Sequence, residues 1–159
     1  MRGQCIFLDV SISNDPYDLD RFVRAQAADY DRALSELSDG KKRSHWMWYI
    51  FPQIEGLGQS AMSHRYSIKS VAEARAYLDH PVLGPRLREC FAAVQNIEGR
   101  SALEIFGSPD DSKLRSCATL FAHATGEGVF EQVLQKYFNG QHDEETLRRL
   151  GKLAQTGDA

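Results

Sequence analysis

Cysteine is scarce in this chain: Cys5, Cys90 and Cys117 form an odd set without a Cys-x-x-Cys pair. That excludes a disulfide framework. Cys90 and Cys117 fall inside apolar helical stretches, so buried, reduced thiols and a cytoplasmic location are expected. Long hydrophobic runs are missing as well. None approaches the ~20 residues needed to cross a bilayer, and the opening segment, with one early arginine and a short apolar run from Cys5 to Val10, is no signal peptide. Neither sign of charge is in excess: 19 Lys+Arg against 22 Asp+Glu give a net charge of -3. No global field draws the protein to a membrane, and nucleic acid is disfavoured as a partner.

The common chemical signatures are absent too. There is no Gly-x-Ser-x-Gly, no P-loop and no Gly-x-Gly-x-x-Gly. The five histidines, His45, His64, His80, His123 and His142, never fall at His-x-x-x-His spacing, so no metal and no cofactor are expected. Period-two alternation is confined to a weak run near Cys5 to Ile12, which leaves no sheet to build on.

What the chain does have is helical period. From Asp18 to Leu37 the apolar residues Leu19, Phe22, Val23, Tyr30, Ala33, Leu34 and Leu37 recur at three- and four-residue steps, predicting one helix capped by Asp18 and stopped at Gly40. Pro52 limits any helix in the aromatic run 44–53 to a short one, and Ser60 to Tyr66 could form another. Ser70 with Glu73 reads as a capping box for a helix through Leu78. Pro85 then suits the first turn of a helix whose stripe is Leu87, Cys90, Phe91, Val94 and Ile97. Ser101 with Glu104 is a second box. Ser108-Pro109-Asp110-Asp111 reads as a capped start for a helix to about Ala124. Phe130 to Phe138, stopped by Asn139-Gly140, and a last helix capped by Asp143 complete the series. The expectation is an all-α, irregular multi-helix single domain of about six to eight helices. Residues 1–14 read as a poorly ordered leader, 15–151 as the domain and 152–159 as a flexible tail.

Four segments taken together carry a resemblance: Asp20-Arg21-Phe22-Val23-x-Ala25-Gln26, Ser44-His45-Trp46-Met47-Trp48-Tyr49-Ile50-Phe51-Pro52-Gln53, His80-Pro81-Val82-Leu83-Gly84-x-Arg86-Leu87 and Ile105-Phe106-Gly107-Ser108-x-Asp110-Asp111-x-Lys113-Leu114-x-Ser116. In this order they closely resemble the mainly bacterial DUF1810 family, over roughly Leu19 to Leu150. The resemblance implies an all-helical fold. It implies no activity, so no catalytic residue is carried over. Some members bear an automatic calpastatin label, but calpastatin resembles a disordered inhibitor, whereas this chain has the apolar periodicity of a packed domain.

Three clusters are candidate sites. No single helix face can bury all of Trp46, Trp48, Tyr49 and Phe51; on one reading Trp46, Tyr49 and Ile50 are core and Trp48 packs under a loop. On the other, an indole walls a pocket and stacks on a planar ligand, with His45 and Gln53 as polar groups at its rim. Lys41-Lys42-Arg43 is either a solvated turn or, through Arg43, a phosphate contact beside the aromatics. Lys113 and Ser116 share a side near a helix N-terminus, where an anion would be favoured; a capped helix with an exposed lysine is the plainer alternative. The functional expectation is an uncharacterised helical domain that binds a small phosphorylated or nucleotide-like molecule through His45, Trp46, Trp48, Gln53, Arg43, Lys113 and Ser116, with or without turnover. The rival is a protein-protein interaction module that docks a partner through exposed aromatics.

Overall fold

The computed structural model describes residues 15–155, with side chains to Gly151. The expected leader, residues 1–14, and Cys5 lie outside the described residues. Ten helical segments are present among them: α1 (Asp20–Ala27), α2 (Tyr30–Ser38), α3 (Met47–Ile50), α4 (Ala61–Arg65), α5 (Val71–Asp79), α6 (Leu83–Asn96), α7 (Ala102–Phe106), α8 (Asp110–Thr125), α9 (Gly128–Phe138) and α10 (Glu144–Gln155). Seven of them are eight residues or longer and three are single turns. There is no strand among the described residues, only an isolated parallel bridge between Ile54 and Ile68. The chain is all-α.

Helix α8 is the hub, packing against α5, α7, α9 and α10, while α6 lies across α2, α5 and α9. Its residues Leu114, Cys117, Ala118, Leu120 and Phe121 are fully buried. The stripe foreseen on α6, Leu87, Cys90, Phe91, Val94 and Ile97, is buried throughout. A chain of edge and tilted ring contacts runs through the core from Phe51 to Phe91, Phe130, Phe121, Tyr77 and Phe22, with centroid spacings of 5.3, 4.8, 5.7, 5.5 and 5.1 Å. These spacings are those of favourable aromatic pairs, and they link α1, α5, α6, α8 and α9 into one core.

Three helix expectations are corrected. The predicted helix from Asp18 to Leu37 is two helices, because the chain breaks at Ala28–Asp29. The Asp29 carboxylate there accepts from the Tyr49 hydroxyl and from Arg32, so a tertiary partner outweighs the unbroken period. Asp18 does not cap α1: it takes a positive φ of 52°, and the Asp15 carboxylate accepts from the amides of Leu19 (2.6 Å) and Asp20 (3.1 Å) instead. At α8 Ser108 makes no capping bond; Pro109 holds the cap position and the Asp111 carboxylate accepts from the Ser112 amide.

Only half of the Ser70 box forms. Ser70 Oγ accepts from the Glu73 amide at 3.0 Å, but the Glu73 carboxylate turns to the Lys69 amide and to Arg21. The Ser101–Glu104 box is complete. His80 ends α5 and opens α6, its Nδ1 accepting from the amides of Val82 and Leu83 at 3.1 and 3.2 Å. Gly84 sits where α6 meets the end of α5; a Cβ there would lie 2.1 Å from the Leu78 carbonyl oxygen. Gly84→Ala is therefore expected to destabilise the fold by ~2 kcal/mol, seen as a lower urea midpoint with an unchanged slope.

Candidate functional site

The aromatic run divides as its plainer reading has it. Trp46 is 0% exposed and its Nε1–H donates to Glu36 Oε1 at 2.9 Å. The same carboxylate accepts from the amides of Arg43 (2.8 Å) and Ser44 (3.0 Å) and from the Ser44 hydroxyl (2.6 Å). Burial pushes the Glu36 carboxyl up, and these donors more than reverse it, holding its pKa at about 2. Trp46 is thus a core residue with its polar edge satisfied, and it leaves the set of ligand-binding candidates.

Trp48 is half-buried. With Gln53, Ile54, Gly56, Gly58, Ser63, Tyr66 and Ser67 it lines a hollow of about 10 Å³, room for about one water and far too little for a planar metabolite. The loop carrying Gly56 and Gly58 closes this hollow, pressed so near that a Cβ on Gly58 would meet Ser63 Oγ at 2.3 Å. Lys113 Nζ lies 5.3 Å from the Trp48 ring centroid, on a face that a stacked ligand would need.

The basic and helix-start candidates pair with one another. The Lys42 ammonium, 8% exposed, meets Asp110 at 2.9 Å and lies over the Trp46 ring, and Lys113 meets the other Asp110 oxygen at 3.3 Å. Arg43 is exposed and pairs with Asp39 at 3.4 Å. Ser116 is buried and its hydroxyl donates to the Ser112 carbonyl. It is turned toward its own helix and away from any anion. His45 is exposed, and its carbonyl faces the Tyr49 hydroxyl. The structure therefore brings Trp48 to Gln53 and to Lys113, while Trp46, Ser116 and Arg43 are engaged with other partners.

A larger concavity lies on the other side of α4. The backbone pairs Glu55 N–H with the Ile68 carbonyl and Ile68 N–H with the Gln53 carbonyl, both at 2.8 Å, closing the loop that carries α4. Ser63, Tyr66 and Ser67 from this loop wall the small Trp48 hollow; His64 and Arg65 face a groove of about 630 Å³ lined also by Pro16, Tyr17, Asp18, Arg21, Lys69, Ser70 and Glu73. This volume is that of a small-molecule site.

Its floor is a buried ion pair. Arg21 Nη2 meets Glu73 Oε2 at 2.8 Å, with the two side chains 8% and 2% exposed. The guanidinium also donates from Nε to the Arg65 carbonyl (2.7 Å), from Nη1 to the carbonyls of Tyr17 (2.7 Å) and Asp18 (2.8 Å), and from Nη2 to the Ser67 carbonyl (2.7 Å). All five of its N–H groups are spent. Arg21 therefore binds nothing further; it fixes the N-terminal turn, the end of α4 and the start of α5 around the groove.

The rim differs. Arg65 Nε donates to the Tyr66 hydroxyl at 3.2 Å and its guanidinium lies over that ring, leaving both terminal nitrogens for other partners. Lys69 and His64 are exposed at the same groove. Among the described residues none of the three ion-pairs with a carboxylate within 4.0 Å. Sequence reading missed these residues because His64, Arg65 and Lys69 carry no spacing signal and meet Tyr17 and Arg21 only through the closed loop. Arg21 stood in the resemblance, and a buried arginine in such a segment is the one local hint of a tertiary anchor. No cluster of three or more histidine, cysteine or acidic side chains suited to a metal ion occurs among the described residues, and none of their helices is long and apolar enough to cross a membrane.

Residues 16–150 match the family described as "Protein of unknown function (DUF1810)", and the chain belongs to it. It is similar to the crystal structure of the conserved hypothetical protein Rv1873 from Mycobacterium tuberculosis, with 52% identity and a TM-score of 0.85 over 86% of this chain and 99% of that one. Among curated proteins none matches.

Proposed function

We propose that this DUF1810 protein binds a small anionic metabolite, phosphate- or carboxylate-bearing, in the groove between the Pro16–Asp18 turn, the end of α4 and the start of α5. The observation that carries this reading is the convergence of Arg65, Lys69 and His64 on one concavity of about 630 Å³ without a carboxylate paired to any of them. Unpaired cations lining a concave surface concentrate anions, and the planar guanidinium of Arg65 suits two-pronged contact with a carboxylate or phosphate. The neutral Arg21–Glu73 floor adds rigidity and no net charge, so the groove's shape is fixed before binding; the exposed Asp18 carboxylate stands at the edge shared with the neighbouring hollow. A phosphorylated ligand is also what the aromatic and basic run suggests, there together with nucleotide-like molecules and on the opposite side of α4. Buried free thiols at Cys90 and Cys117 suit a reducing, cytoplasmic setting.

Docking through exposed aromatics has less support. Trp46 is buried and Trp48 half-buried, and the exposed large apolar residues among those described are Leu103 (56%) and Leu147 (39%), on the separate helices α7 and α10. Isolated residues of this kind are ordinary surface.

The test is calorimetric titration of the protein with inorganic phosphate, beside the exposed double variant Arg65→Ala/Lys69→Ala. Saturable binding that weakens with added salt, and a loss of about tenfold or more in affinity for the variant, are expected. Equal affinity of the two proteins, or no binding by either, contradicts the reading.

A further inference from the structure

We infer that the ligand of this groove is a phosphomonoester of a hydroxyl-rich body, of the sugar phosphate class, and not a nucleotide; the inference rests on the anion site proposed above. The groove does not end at the Pro16–Asp18 turn. A second hollow of about 800 Å³ shares Pro16, Tyr17 and Asp18 with it and continues along Asp15, Asp20, Ala76, Asp79, His80 and Pro81. A molecule held by its anionic group at Arg65 and Lys69 therefore has its remaining atoms directed past Tyr17 toward this second space.

The chemistry changes across the turn. Asp15 is spent on the start of α1 and Asp20 pairs with Arg24 at 3.0 Å, but the exposed carboxylates of Asp18 and Asp79 ion-pair with nothing among the described residues. His80 lines the same hollow with Nδ1 already accepting from the Val82 and Leu83 amides. In the neutral ring that leaves the proton on Nε2, a donor beside two acceptors. A hydroxyl both donates and accepts, so a polyol meets all of these groups. A second anionic group would meet two carboxylates, which disfavours extended polyphosphates.

A flat ring finds little to stack on here. The Tyr66 ring is buried and covered by the Arg65 guanidinium, Tyr17 is half-buried against the core, and Trp48 lies in the separate hollow beyond α4. Apart from the half-buried Tyr17, neither space is lined by a Phe, Tyr or Trp ring, so the stacking that anchors a nucleobase elsewhere is weak here. Recognition falls to charge at one end and hydrogen bonds at the other.

The experiment is a calorimetric panel on the full chain with inorganic phosphate, glucose 6-phosphate, glucose, phosphoethanolamine and AMP, repeated with Asp79→Asn, a residue that lines the second hollow and not the anion groove. Asp79 is exposed and ion-paired to nothing among the described residues, so the fold is kept. Glucose 6-phosphate is expected to bind about tenfold tighter than inorganic phosphate, with glucose silent, and the variant to lose much of that advantage while keeping its affinity for inorganic phosphate. AMP or phosphoethanolamine binding as tightly as glucose 6-phosphate, or glucose 6-phosphate gaining nothing over inorganic phosphate, overturns the ligand class and leaves the anion site standing. Failure of inorganic phosphate to bind at all overturns the site, and this inference with it.

Discussion

Arg21→Met is expected to lower the free energy of unfolding by ~3–5 kcal/mol, the usual consequence of removing one partner of a buried ion pair. The loss is large because two things happen together. Glu73, 2% exposed, loses its ion-pair partner and is left with only the Lys69 amide to accept from. Four carbonyls, those of Tyr17, Asp18, Arg65 and Ser67, lose their donor in the same step. For a chain of this size the melting temperature should fall by about 10 °C. The double change Arg21→Met/Glu73→Met should be less damaging than the single one, since it removes the stranded charge as well. Urea denaturation of the three proteins checks this; a single variant as stable as wild type, or a double variant equal to the sum of two large losses, contradicts the assignment of the pair as the groove's structural floor.

Glu36→Gln should remove an acid-sensitive share of stability. The folded Glu36 carboxyl titrates at about 2 against an ordinary 4.5, burial raising it and the donors from Ser44, Arg43 and Trp46 lowering it further. A depressed folded pKa means that the stabilisation is complete above the unfolded value, near pH 5, and is lost as the pH falls through 4.5 toward 2. The shift corresponds to ~3 kcal/mol for this group. Wild type should therefore lose more stability than Glu36→Gln between pH 5 and pH 2, and at neutral pH the variant should already be destabilised by a similar amount. Urea midpoints measured across that range for both proteins decide it. Parallel pH profiles would mean that Glu36 is not the hub that orients residues 43–46.

What could be read from the sequence was what residues close in the chain decide among themselves. The α6 stripe and the Ser101–Glu104 box depend on three- and four-residue spacing and appear where the spacing puts them. The break at Ala28–Asp29 depends on Tyr49, and the incomplete Ser70 box depends on Arg21; each local signal was outcompeted by a partner from another segment. The aromatic run shows the same limit. Its crowding announced that some rings must separate, but the acceptor that draws Trp46 inward, Glu36, lies on the preceding helix. The groove is the extreme case. Tyr17, Arg21, His64, Arg65 and Lys69 become neighbours only when the Gln53–Ile68 loop closes on α1, and no spacing in the chain announces it.

The most direct test of where an anion binds is a residue-resolved one: amide chemical shifts of labelled protein recorded during titration with inorganic phosphate. Saturable shifts should gather at Tyr17, Asp18, His64, Arg65 and Lys69, leaving Trp48, Gln53 and Lys113 unmoved. Shifts confined to the Trp48–Lys113 side of α4, or spread evenly over exposed lysines and arginines, would contradict the account.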